Sequence, residues 1–293
     1  MDGSSERLAV CIRTRKLAAA TLTKALREML NKDEPISEIG LRDRWLSYLR
    51  QENATYPDGW YMPPPHGVIM LFATDTHPER IMSDSYRKAE AWPSETVFLD
   101  RANGLIMAYA SPVDRATGII GDFGTTLYFG HKPHIKNHLT KCLKLDRDIV
   151  REVTTGMKLS DVARLAGERM KERGMANTVM SINDPAGTNI GHSIPAVAEG
   201  WSKQEKAVFE KADWIATKDM IAHKRYYVST VEATEIRDGT AFTVEPRPEM
   251  PNKPDIPMVA YHTIVAFDHG LKLFLTDFDE LFELAGMDYM PSM

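Results

Sequence analysis

The stretch AFTVEPRPEMPNKPDIPMVAYHTIVAF, Ala241 to Phe267, decides the fold. Phe242-Thr243-Val244 is a β-favouring run that ends in a carboxylate, Glu245, and Pro246 closes it. A proline-rich turn follows, and the chain returns as a second β-rich strand through Ala260-Tyr261-His262-Thr263-Ile264-Val265. Two strands joined in this way set Glu245 opposite a side chain of the returning strand. A carboxylate in so apolar a strand is costly to bury alone, so a cation, a base or a proton must accompany it.

Working outward, residues 8 to 31 carry apolar side chains at helical spacing, and Asn31-Lys32-Asp33-Glu34-Pro35 ends the pattern. Ser37-Glu38-Ile39-Gly40 opens a second helix with its apolar stripe from Leu41 to Leu49. Gly67 to Phe72 reads as a buried strand, with shorter β-like runs at Val97 to Leu99 and Leu105 to Ala110. A hairpin around Asp114 to Gly118 leads into Ile119 to Gly130. Helices are expected over 135 to 153 and 158 to 173, the second with Ser160 as its cap, and a further one over 203 to 222. Residues 183 to 191 read as a loop, and 225 to 276 as strands before a short terminal helix. One αβ domain over residues 1 to 293 is expected, the helical pair of about 8 to 50 included. A division between Tyr109 and Asp122 is the other arrangement this pattern allows.

With 293 residues and 43% apolar content the chain can fill a sizeable core. A net charge of −5 offers no basic face, so nucleic acid is not expected as a partner. The N-terminus lacks the apolar core of a signal peptide and no apolar run is long enough for a membrane span, so a cytoplasmic protein is expected. Cys11 and Cys142 are too few for a zinc cluster or a disulfide framework and read as ordinary thiols. The 16 methionines read as core filling.

Three polar landmarks lie in order along the chain: Gly121-Asp122-Phe123-Gly124-Thr125-Thr126, Ile190-Gly191-His192-Ser193-Ile194-Pro195, and Phe242-Thr243-Val244-Glu245-Pro246. A carboxylate, an imidazole and a carboxylate form a workable ligand set for one divalent cation, whether iron, manganese, cobalt or zinc. The order and the segments resemble the creatinase, aminopeptidase and prolidase superfamily. That resemblance implies an α+β pita-bread fold, a curved antiparallel sheet flanked by helices, in which two glutamates bridge a pair of metal ions. It covers most of the chain, and a single catalytic-type domain without the separate N-terminal domain of prolidases and creatinases is expected.

Carried over residue by residue, the resemblance makes Asp122 the second metal aspartate, because Gly130, Pro133 and a helix from Ile135 follow at the family's spacing. Ser111 then stands where the first aspartate belongs. In the other register Asp122 is the first aspartate and Pro133 falls at the second, with His131 and His134 nearby. His192 matches the metal histidine, and Glu199 the acid of a later His-Glu pair whose histidine is replaced by Ala198. Glu245 is the first glutamate, and Tyr261 takes the place of the second as a phenolate ligand, a hydrogen-bond donor to substrate, or a space-filler. His262 then points to the opposite face of its strand and is expected to pack against a helix. His77 falls where the family has a substrate-facing histidine, although an exposed loop histidine fits the same sequence. Asp122 as a turn cap and His192 as a satisfied core imidazole are the plain structural alternatives.

The expectation is an enzyme with one divalent metal ion held by Asp122, His192 and Glu245, and with His77, Glu199 and Tyr261 as catalytic side chains. Its substrate is a small amino-acid-like or amide molecule, converted by lysis, hydrolysis or oxidation, with weak peptide hydrolysis because Ser111, Ala198 and Tyr261 replace functional groups. A homodimer is compatible with such a domain. Two alternatives remain open at this point: a metal-free, creatinase-like hydrolase with His77 as base, and a non-catalytic module that binds peptides or proteins.

Overall fold

The structure, a computed structural model, describes residues 3–82, 86–179, 184 and 186–292. Positions 183 and 185 of the expected 183 to 191 loop lie outside the described residues. Helix α1 (Ser4–Leu30) buries Leu8, Cys11, Arg15, Ala18, Leu22 and Leu26, the three- and four-residue steps of one helical face. Helix α2 (Glu38–Leu49) packs against it, capped by Ser37, whose hydroxyl accepts the Gly40 amide at 3.0 Å. The indole of Trp45 joins the two helices by donating to the Ala18 carbonyl at 3.1 Å.

Strands β1 (Val68–Thr74), β2 (Gly104–Ala110) and β3 (Phe123–Tyr128) form one antiparallel sheet in that order. Helices α3 (Pro133–Glu152) and α4 (Leu159–Glu172) follow, and α3 opens on a proline whose missing amide proton is no loss at a first helical position. Ser160 lies inside α4 and does not cap it; Asp161 instead accepts the Lys158 amide at 2.9 Å. A two-residue strand β4 (Ala176–Asn177) pairs with β6 (Pro248–Glu249). The single helix expected over 203 to 222 is two, α5 (Lys203–Glu210) and α6 (Trp214–Lys224). Ala212 at φ 52° breaks the run, and Asp213 caps the second piece by accepting the Ala216 amide at 3.1 Å. Strands β5 (Ala241–Val244), β7 (Thr263–Asp268) and β8 (Leu271–Leu275) make a second antiparallel sheet ordered β5-β7-β8, and α7 (Asp279–Leu284) follows it. Much of 225 to 262 is irregular, where strands had been expected.

The two sheets meet where residues 260–262 run beside β3. The His262 amide donates to the Gly124 carbonyl at 3.0 Å, and the Ala260 amide to the Thr126 hydroxyl at 3.0 Å. Helix α1 closes the same junction from outside. A Cβ on Gly121 would sit 2.2 Å from the Arg15 backbone nitrogen, so the glycine is required by close packing of two backbones. No helix among the described residues is long and apolar enough to cross a membrane.

Candidate functional site

Four side chains from four segments meet at this junction. Asp122 stands just before β3 and is fully buried; Glu245 follows β5; His262 precedes β7; His192 lies on the segment that bridges to Phe242 and Tyr227. The backbone there is tightly fixed. The His192 amide donates to the Thr243 hydroxyl at 2.9 Å, and the Thr243 amide donates back to the His192 carbonyl at 2.7 Å. Gly191 makes that approach feasible, since a Cβ there would lie 2.1 Å from the Thr243 carbonyl oxygen.

His262 Nδ1 is 2.8 Å from Asp122 Oδ1 and 2.7 Å from Glu245 Oε2. His192 Nε2 is 3.5 Å from Asp122 Oδ2 and 3.9 Å from Glu245 Oε1. Burial alone would push the Asp122 carboxyl up, but hydrogen bonds from His192 and His262 outweigh it and hold the group below the usual carboxylate range. Burial works against both imidazolium ions, yet Glu245 and Asp122 raise His262 to about 9, and Asp122 and Glu245 raise His192 as well. The carboxylates therefore attract positive charge strongly. Asp122, Glu245 and His262 offer donor atoms all within 4.8 Å of one another, a set able to hold a metal ion. His192 Nδ1 lies 2.9 Å from the Ser193 carbonyl, which leaves Nε2 turned to the carboxylates, the tautomer a ligating imidazole needs.

Several residues outside the expected set build this centre. Arg15, buried in α1, donates to the Asp122 carbonyl, to the His262 carbonyl at 2.7 Å and to the Thr276 carbonyl at 2.5 Å, and pairs with Asp277 at 3.1 Å. One guanidinium thus fixes the backbone beneath two candidate ligands. Its place inside a Arg13-Thr14-Arg15-Lys16 run reads in sequence as solvated charge. The His262 ring lies on Gly124, where a Cβ would come within 2.6 Å of its Cδ2. Tyr109 donates its phenol to Asp122 Oδ2 at 3.0 Å, and the Trp60 indole donates to Ser111 Oγ at 2.9 Å.

Above the centre opens a cavity of ≈ 90 Å³ with His192, Glu245 and His262 in its wall, alongside Trp60, Tyr61 and Tyr109. Arg225 and Arg247 line the same cavity. The Arg225 guanidinium carbon lies 4.8 Å from the Trp60 ring centroid and 4.7 Å from that of Tyr227. Arg247 is buried, donates to the Tyr86 hydroxyl at 3.1 Å and lies 5.5 Å from its ring centroid. The aromatic faces are thus taken up by the protein's own cations.

Of the residues named from the sequence, Asp122, His192 and Glu245 come together, and His77, Glu199 and Tyr261 do not join them. His77 is 79% exposed and pairs with Glu79, because the chain turns outward directly after β1. Glu199 and its neighbour Ala198 are exposed beyond the turn at Ala196. Tyr261 is buried on the helix side against Phe278 and Phe282, its hydroxyl without a hydrogen-bond partner among the described residues. The reason is parity: the pairing of His262 with Gly124 turns His262 to the cavity, and a one-residue offset exchanges the faces of a strand. His262 therefore stands in the cavity, where helix packing had been expected. His138 is buried beside Cys142 in α3, and His131 and His134 are exposed, so none of the three belongs to the centre.

No family model and no curated protein sequence matches this chain. Solved structures do. An X-Pro aminopeptidase from Thermotoga maritima superposes with a TM-score of 0.62 at 11% identity, over 93% of this chain and 61% of its own. A methionine aminopeptidase from Rickettsia prowazekii matches with a TM-score of 0.56 at 15% identity, over 93% of this chain and 97% of its own. This is the pita-bread fold. A prolidase from Pyrococcus furiosus gives a TM-score of 0.55 at 14% identity, over 90% of this chain and 63% of its own. The chain thus spans less than two thirds of the X-Pro aminopeptidase and the prolidase, while it covers nearly the whole methionine aminopeptidase.

Proposed function

We propose that this pita-bread chain is an enzyme that uses one divalent ion, held by Asp122, Glu245 and His262 with His192 alongside, on a small amino-acid-like or amide substrate. The observation that carries this reading is the placing of His262 Nδ1 within 2.8 Å of both carboxylates, beside a second imidazole oriented through its own backbone. The donor set fits such an ion: two carboxylates and two imidazoles suit iron, manganese, cobalt or zinc. When bound, the ion supplies a Lewis acid that polarises a carbonyl or a water molecule.

The chain's own groups divide the remaining work. Arg225 and Arg247 are placed to bind a substrate carboxylate by charge-assisted hydrogen bonds, and the tyrosine and tryptophan rings around them exclude water. A substrate held at that end directs its other end toward Asp122, Glu245 and the imidazoles. His192, whose Nε2 faces both carboxylates, is placed to complete the donor set of the ion. Lysis, hydrolysis and oxidation of such a molecule all suit this arrangement. Ordinary aminopeptidase or prolidase action does not, because Ser111 stands where the first metal aspartate belongs and the returning strand presents His262 and no second glutamate, which leaves a reduced ligand set.

The test is turnover of methionyl, alanyl and X-Pro peptides by protein loaded in turn with iron, manganese, cobalt and zinc. The expected rates fall well under about 1 s⁻¹, the low end of ordinary enzymatic turnover. Peptide turnover at or above that value would contradict the assignment. Small carboxylates that bear an amide, screened for binding by calorimetry, should bind wild type and lose about ten-fold or more in affinity on Arg225→Met. That loss is the size expected for one charge-assisted hydrogen bond.

A further inference from the structure

Resting on the one-ion reading above, we infer that Tyr109 and Trp60 close the place of a second ion, and so fix the centre at one.

Asp122 has two carboxylate oxygens, and a carboxylate serves two ions by presenting one oxygen to each, with the ions about 3.5–4 Å apart. Here the oxygens have different surroundings. Oδ1 faces His262 Nδ1 at 2.8 Å. Oδ2 accepts the Tyr109 phenol at 3.0 Å and lies 3.5 Å from His192 Nε2. A phenol proton directed at Oδ2 occupies an approach that a second cation would need, and a cation placed there would face that proton.

The neighbouring donor is closed as well. Ser111 follows Tyr109 by two residues, just past the end of β2. Its hydroxyl accepts the Trp60 indole proton at 2.9 Å, and Trp60 itself packs edge-on to His192 with ring centroids 5.7 Å apart. Tyr109, Ser111 and Trp60 are all buried, at 6%, 0% and 3% exposure. The Tyr109 ring is held in turn by His262, with centroids 5.2 Å apart, and by Tyr61 at 6.1 Å. Tyr109 is a positioning residue in this scheme. It orients Asp122 and limits how many ions that carboxylate can serve.

The experiment measures bound manganese per chain, by elemental analysis and by electron paramagnetic resonance, in wild type, Ser111→Asp, Tyr109→Phe/Ser111→Asp and Tyr109→Asp. Thermal melting establishes that each variant is folded. Wild type and Ser111→Asp are expected to hold one isolated ion each. The double variant and Tyr109→Asp are expected to approach two, with the altered spectrum of an exchange-coupled pair. A second ion in Ser111→Asp alone overturns the inference, because Tyr109 would then be no obstacle. One isolated ion in both folded Tyr109 variants overturns it too. Wild type with no ion, or with two, sinks the one-ion reading itself and is distinct from either result. Tyr109→Asp supplies the carboxylate at the phenol's own position, so the inference stays testable where a buried aspartate at 111 prevents folding.

Discussion

Tyr261 and His262 are adjacent in sequence and lie on opposite faces of one segment, and their surroundings differ in kind. On the cavity face, His262 meets two carboxylates, its carbonyl accepts from Arg15, and its amide donates to Gly124. On the helix face, the Tyr261 hydroxyl has no hydrogen-bond partner among the described residues, and neither have Thr125 Oγ1, Thr263 Oγ1 or either oxygen of the buried Asp146 in α3. Around His262 the polar groups are bound into one network. Those on the second face are buried polar atoms without partners, and each costs stability. A buried carboxyl without a partner remains neutral, and burial raises Asp146 well above the usual range.

The largest expected effect tests what holds the cavity face together. Arg15→Met leaves the Asp122 and His262 carbonyls without their donor and Asp277 without its partner, and should lower stability by about 3–5 kcal/mol, as when one member of a buried ion pair is removed. Urea unfolding measures it. A loss under about 1 kcal/mol would mean that the sheet junction needs no guanidinium.

A second test uses pH, in protein freed of metal by chelation. The folded His262 is raised from 6.5 to about 9, so its contribution is fully present below about pH 6.5 and is lost as pH rises through about 9. The linkage amounts to about 3 kcal/mol over that window. Stability measured from pH 6 to 10 should fall accordingly in wild type, and the fall should shrink in His262→Asn. Equal slopes in the two proteins would place the titration elsewhere.

The Tyr261 side gives the smaller effect. Tyr261→Phe removes an unpartnered hydroxyl from an apolar site, so stability should remain the same or rise by up to about 1 kcal/mol. Thermal and urea unfolding decide it, and a loss of more than about 1 kcal/mol would reveal a partner for the hydroxyl.

The sequence made one face of this comparison readable and hid the other. Glu245 was legible because a carboxylate ending an apolar strand needs a partner, and Asp122 through the family resemblance, since Gly130, Pro133 and α3 follow it at the spacing that the resemblance implies. The order of helices and strands was legible from apolar spacing, as α1, α2, β1 and β2 illustrate. The side of His262 was not. Regular pairing of β7 begins only at Thr263, so alternation counted through 260–262 has no ladder to fix its parity, and the contact with Gly124 that sets it lies 138 residues away in sequence. Arg15 was hidden for a related reason, since a charge on a helix looks solvent-facing until the strand that buries it is placed. Tyr109, inside the apolar run Gly104–Ala110, looks like core packing because only its ring is readable and its hydroxyl partner comes from another strand.

The most direct measurement is metal content of three proteins purified alike and dialysed against manganese, iron or zinc: wild type, Tyr261→Phe and His262→Ala. With His262 as the third ligand beside Asp122 and Glu245, wild type and Tyr261→Phe should each retain close to one equivalent of the same metal, and His262→Ala should fall well below half. Retention of one equivalent by folded His262→Ala, or its loss from Tyr261→Phe, would contradict the account.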